Sequence, residues 1–157
     1  MNLFGVSVYQ PGELAPSIIH DLISLTGAEF MAQLKSRVDV DAYASKLHAR
    51  ADSIVARLDG ADVGYLAVYA TNSESEGAFI SHCGVRSDLR GMGVAAGLMN
   101  AAESIAVKAH LKFLSLEVDR SNRRATAFYA RYGFDWQERH GKMIGTKHVA
   151  VDARSCE

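Results

Sequence analysis

Between Val85 and Leu98 the chain reads Val-Arg-Ser-Asp-Leu-Arg-Gly-Met-Gly-Val-Ala-Ala-Gly-Leu, with Arg90 directly ahead of Gly91 and Gly93. Beyond it, Leu98, Ala101, Ala102, Ile105 and Ala109 recur at helical spacing, so the glycines stand where a strand passes into a long helix. Residues without side-chain bulk let a backbone approach an anion closely. The first-turn N–H groups of the helix then point at it, with the positive end of the helix dipole behind them. Arg90 adds a full charge at the mouth. The chemistry is the cradling of a phosphate or pyrophosphate. A glycine turn that only packs a helix on a sheet has the same composition, and glycine pairs alone do not separate the two.

Two patterns fit the segment. Gly91-x-Gly93-x-x-Ala96 matches the dinucleotide fingerprint, with Glu117 about 20 residues on where an acid for a ribose would stand. Three features weigh against it: Arg86 to Arg90 intervene after the strand, half the chain has already passed, and only about 40 residues follow Glu117, too few for a second nucleotide-binding half. The other pattern is [QR]-x-x-G-x-[GA], met by Arg90-x-x-Gly93-x-Ala95 behind a strand ending Cys83-Gly84-Val85. It is followed, about 30 residues on, by Asn122-Arg123-Arg124-Ala125 and Phe128-Tyr129-Ala130-Arg131-Tyr132-Gly133-Phe134. Together these resemble the acetyl-CoA pyrophosphate loop and the later N-x-x-A-x-x-F-Y-x-x-x-G-F segment of the GNAT superfamily of N-acetyltransferases. The resemblance runs in detail from Ile54 to Phe134.

What the resemblance implies is direct attack of an acceptor amine on the acetyl-CoA thioester, with no covalent enzyme intermediate. The backbone of Gly91, Met92, Gly93, Val94 and Ala95, with Arg90, would hold the pyrophosphate. The backbone of Cys83 and Val85, on a splayed strand end, and Asn122 would hold the pantetheine arm. Tyr129 matches the family's general acid, a phenol that keeps its proton at neutral pH. The implied acceptor is a small-molecule amine, such as an amino sugar or a metabolite amine, or else a peptide N-terminus. A homodimer is common in the family. The alternatives to an enzyme are an acyl-CoA-binding or sensing module that has lost its acceptor site, and the dinucleotide reading.

Other residue types are weighed by their bland roles. Phe128 and Tyr132, four apart, form a core stripe, with Tyr129 pointing elsewhere on the helix. No acid lies between Ala78 and Val85, so His82 is the candidate general base, against a satisfied histidine; Glu74 and Glu76 are the next candidates, against a solvated acidic loop. Alternation along the strand sets His82 opposite Ser81 and Cys83 unless a bulge intervenes. Cys83 has no histidine partner pattern and reads as a small buried residue rather than a nucleophile. The six histidines show no H-x-H or H-x-x-x-H spacing, so no metal site is expected.

The elements that must position these residues follow from pattern. Phe4–Tyr9 is a strand stopped at Gln10-Pro11-Gly12. Pro16 opens a helix closed by Gly27. Val40–Arg50 is a second helix with Asp39 as its N-cap and Tyr43 and Leu47 on one face. Ser53–Leu58 and Val63–Ala70 flank Asp59-Gly60 as a hairpin. Thr71–Gly77 is a loop, Ala78–Val85 a strand, and Val94 to about His110 a long helix. Phe113–Val118 is a strand, Ala125–Tyr132 a helix ended by Gly133, and the tail (Met143, Ile144, Val149, Val151) supplies one or two strands. The order implies an α+β fold, and the resemblance makes it a mostly antiparallel, twisted central sheet with helices on both faces, splayed before the pyrophosphate loop.

The 157 residues read as one acetyltransferase domain, 1–157. At 48% apolar and 22% charged, with a net charge of −1, the composition excludes a disordered chain and gives no general pull toward nucleic acid or anionic membrane. No apolar run approaches the roughly 20 residues of a membrane span, and no secretory signal is visible. Cys83 and Cys156, without CxxC spacing, read as free thiols of a cytoplasmic protein.

Overall fold

Strand β1 (Gly5–Tyr9) ends before Pro11, and α1 (Pro16–Thr26) begins on its proline, where a missing N–H costs no helix bond. The computed structural model describes residues 4–27, 37–70 and 76–149, with the backbone alone for 37–39. Glu74, Val151 and Cys156 lie outside the described residues. Helix α2 (Arg37–Arg50) starts three residues ahead of the expected Val40. Asp39 is therefore inside the helix and is not its N-cap. The buried face of α2 is Val40, Ala44 and Leu47, at three- and four-residue spacing.

The hairpin of β2 (Asp52–Leu58) and β3 (Ala61–Tyr69) turns on Asp59 and Gly60. Both have positive φ, 51° and 82°, as a two-residue turn with the twist of the strands requires. Then come β4 (Gly77–Val85), a 3₁₀ turn (Ser87–Leu89), α3 (Val94–Lys108), β5 (Phe113–Asp119) and α4 (Arg123–Tyr132). Asn122 caps α4, its Oδ1 accepting from the Ala125 N–H at 3.2 Å, so α4 starts two residues earlier than expected. The tail forms two strands, β6 (Asp135–Arg139) and β7 (Lys142–His148).

The seven strands of the described residues make one sheet in the order β1-β2-β3-β4-β5-β7-β6. Every neighbouring pair is antiparallel except β4 with β5, so the parallel sheet that a dinucleotide fold needs is not formed. One face carries α1 and α2 over Val55, Tyr65 and Ala67. The other carries α3 and α4 over Leu66, Val68, Ile80 and Leu116. The fold is the expected mixed α+β arrangement with both faces of the sheet covered.

β4 carries two irregularities that shape everything around it. Its parallel ladder with β5 runs from Gly77↔Phe113 to Ile80↔Leu116 and stops, leaving the C-terminal ends of both strands apart. Against β3, Ala67 pairs with His82 and Val68 with Ile80, so Ser81 is the extra residue of a β-bulge. The bulge is the exception that the expected alternation allowed for. Ser81 and His82 both turn toward α1 and α2, where Tyr43 and Thr26 meet them, and Cys83 turns to the α3/α4 face.

Candidate active site

The site is built where the only parallel pair of the described residues comes apart. α3 follows the C-terminal end of β4 and α4 follows that of β5, so the N-termini of two helices face the same end of the gap. Crevices at the carboxyl ends of parallel strands are where open sheets hold ligands.

At the β4 side, Gly91 and Gly93 have φ of 83° and 86°, in the left-handed region that costs other residues strain. A Cβ at either would meet no atom within 4 Å, so packing is not the reason for glycine there. The first α3 bond runs from the Gly97 N–H to the Gly93 oxygen, which leaves the N–H groups of Val94, Ala95 and Ala96 without a helix acceptor. Val94 is buried and anchors the turn; Arg90 and Met92 are exposed. Arg86 is occupied, its guanidinium paired with Asp88 through bonds of 2.6 and 3.0 Å. Arg90 has no such carboxylate partner among the described residues. This is an open, N–H-lined concavity with one uncommitted cation, suited to an anion.

On the α4 side the structure corrects which aromatic is core. Tyr129 is the buried residue of the helix, while Phe128 and Tyr132 are half-buried and stack at 6.3 Å. Edge contacts with Phe128 at 5.1 Å, Phe134 at 5.6 Å and Trp136 at 6.4 Å fix the Tyr129 ring. Its hydroxyl bonds the sulfur of Cys83 on β4, across the gap. Burial first, and then Cys83, raise the Tyr129 phenol well above 10, and burial raises the Cys83 thiol to about 11. Both groups keep their protons at neutral pH, which fits Cys83 as a non-nucleophile. Asn122 lies at the start of the same helix with its Oδ1 already engaged as the cap.

The other face of β4 is neutral and hydroxyl-rich. Thr26 donates its proton to the Leu22 carbonyl at 2.7 Å, so at 3.1 Å it accepts from His82 Nε2. The His82 proton is then on Nε2, and its lone pair on Nδ1. Burial lowers the His82 pKa to about 4. Gly84 permits this packing: a Cβ there would stand 2.3 Å from the Thr26 oxygen. Glu76 is far from this group, at the other end of β4, paired with Lys112 at 3.1 Å. Two surface hollows, about 420 Å³ over the outer face of α3 and about 380 Å³ between α1 and α2, lie outside the gap. Among the described residues no cluster of His, Cys, Asp or Glu could hold a metal ion, and no helix is long and apolar enough to cross a membrane.

The structure thus brings Tyr129, Cys83, Val85, Asn122 and the Arg90–Ala95 turn to one end of the gap and sets His82 on the opposite face. Sequence reasoning passed over Ser81 and Tyr43, because one inserted residue in an alternating strand leaves no signal until its neighbour strand is known.

Comparison with known proteins agrees with the geometry. The Acetyltransferase (GNAT) family description matches residues 19–134, nearly three quarters of the chain. The ribosomal-protein-S18-alanine N-acetyltransferase of Escherichia coli superposes with a TM-score of 0.72 at 16% identity, over 96% of each chain. The PaiA N-acetyltransferase of Thermoplasma acidophilum, solved with coenzyme A, gives 0.68 at 13% identity, over 92% of this chain and 99% of that one. Nourseothricin acetyltransferase gives 0.58 at 23% identity; this chain covers 66% of its length, with 64% of its own. No curated protein sequence matches. A family match of this extent, on a sheet split at β4 and β5 beside a glycine cradle, places the chain in the GNAT acetyltransferase family.

Proposed function

We propose that the chain is an acetyl-CoA-dependent N-acetyltransferase for a primary amine of a small molecule, with an amino sugar or metabolite amine favoured over a peptide N-terminus. The observation that carries this reading is the Tyr129 phenol. It is buried, protonated and set against the Cys83 sulfur, at the rim of a gap that continues into the glycine cradle. A departing CoA thiolate is a sulfur acceptor of the same kind, with a full charge.

In this reading the pyrophosphate rests on Arg90 and the N–H groups of Gly91, Met92, Gly93, Val94 and Ala95. The pantetheine arm runs along the backbone of Cys83 and Val85, on the side of β4 that β5 has left unpaired, and past Asn122. The amine nitrogen attacks the thioester carbonyl carbon, the carbon–sulfur bond breaks, and Tyr129 gives its proton to the sulfur. The proton shed by the amine passes, directly or through water, to His82, the proposed base, which β4 carries on its α1/α2 face. With a pKa of about 4, His82 is neutral and able to accept throughout the neutral range, though weakly. The same reading takes residues 1–157 as one domain, in the cytoplasm, with neither nucleic acid nor membrane as partner, and leaves room for a homodimer.

Calorimetric titration with acetyl-CoA, followed by CoA release across a panel of amines, tests it. Tight acetyl-CoA binding with turnover on an amine is expected. Binding without turnover on any amine would favour a sensing module, and binding of NAD but no CoA species would overturn the reading.

A further inference from the structure

The bulge in β4 is held from outside the sheet. Tyr43, on α2, donates its phenol proton to the Ser81 carbonyl at 3.0 Å, and its oxygen lies 2.5 Å from Ser81 Oγ. One phenol thereby covers both the carbonyl and the hydroxyl of the residue that β3 leaves unmatched. Three changes meet at that residue. Pairing with β5 ends just before it, at Ile80. Two successive side chains, Ser81 and His82, take the α1/α2 face. Cys83 then reaches Tyr129 on the opposite face. A bulge gives up ladder bonds, and even a half-buried carbonyl left without a donor costs stability, so a bulge inside a covered sheet is steadied by a partner from another element.

We propose that Tyr43 is a positioning residue for acetyl transfer: by fastening the bulged Ser81 to α2, it holds β4 apart from β5 and keeps Cys83 turned toward Tyr129. The proposal rests on the reading of the gap as the place of transfer. Tyr43 touches none of the reacting atoms; it acts through the strand. Burial raises its phenol to about 12, so it remains a donor at any pH at which the protein would work. α2 also carries Leu47 and Ala44 into the core beneath it, which gives the phenol a fixed base.

The test is Tyr43→Phe, which keeps the ring and removes the bond, made in a Cys156→Ser background so that Cys83 is the sole thiol. Displacement of reacting groups by about 1 Å costs on the order of 10²-fold, so kcat on the best amine of the panel should fall about 10- to 100-fold. The Kd for CoA should stay within about twofold, because the cradle is built on α3. Alkylation of Cys83 by iodoacetamide should speed up about tenfold as the strand loosens. Ser81→Ala keeps the carbonyl bond and should retain at least about a third of parental kcat. Near-parental kcat and alkylation in Tyr43→Phe would overturn the proposal. So would an equal loss in Ser81→Ala, which would put the effect in the hydroxyls rather than in the bulged peptide. If the parent binds CoA but acetylates no amine, it is the functional reading that fails, and the alkylation rate still decides whether Tyr43 holds the strand.

Discussion

Tyr129 separates two accounts of an aromatic side chain by one atom. Tyr129→Phe keeps the ring contacts with Phe128, Phe134 and Trp136 and deletes only the proton donor. General acid catalysis contributes about 10²–10⁴-fold, so kcat should fall by that order while the Kd for CoA, measured by calorimetry, changes little. A packing role predicts the reverse, a lower Tm and near-parental kcat. His82 makes a different prediction, on stability. Its pKa lies near 4 in the folded protein against an ordinary 6.5, so between these values the unfolded chain binds more protons. The contribution is fully present above pH 6.5 and is lost as pH falls toward 4; at about 1.4 kcal/mol for each tenfold change in acidity it amounts to roughly 3 kcal/mol. His82→Gln should therefore flatten Tm against pH across this window, relative to the parent. An equal slope in both proteins would mean that His82 titrates normally. Turnover should likewise show no inflection near pH 6.5 from this residue.

At the scale of elements, the cradle is a matter of backbone conformation. Gly93 has φ of 86° with open space where a Cβ would be, so Gly93→Val pays conformational strain of about 1–2 kcal/mol and fills the concavity. The folded state should persist with a Tm lower by several degrees. CoA affinity should drop at least about 100-fold by calorimetry; parental affinity would remove the turn from the site. The turn, the long helix behind it and the Asp59-Gly60 hairpin were legible in the sequence because each depends on local chemistry: left-handed φ, helical period, a two-residue connection. What local chemistry does not encode was misread. α2 begins at Arg37, ahead of Asp39, the residue that capping chemistry points to. Tyr129 and not the Phe128–Tyr132 pair is buried, because the choice depends on where β4 and β6 lie against α4. The Ser81 bulge is invisible along its own strand, since two residues against one is a relation between strands.

For the whole molecule, gap and cradle have one topological cause. Parallel neighbours cannot be joined by a tight turn and need a crossover, here α3, whose N-terminus starts where β4 ends. The end at which β4 and β5 part is therefore the end at which two helices present their N–H groups. The antiparallel wings, β1 to β3 on one side and β7 with β6 on the other, hold their own ladders, and the two apolar layers brace the sheet from both faces. The sheet can thus be open at its centre without coming apart. The bulge has one more consequence, in the arithmetic of the gene. Ala67↔His82 and Val68↔Ile80 already flank Ser81, so removing that single residue would make them consecutive rungs with no other pair displaced. A chain one codon shorter should fold, with a Tm within a few degrees of the parent or above it, and β4 free to zip further along β5. On the proposal above its loss should be of turnover alone, because the sheet, both apolar layers and the glycine turn would all remain while the two strands closed on each other.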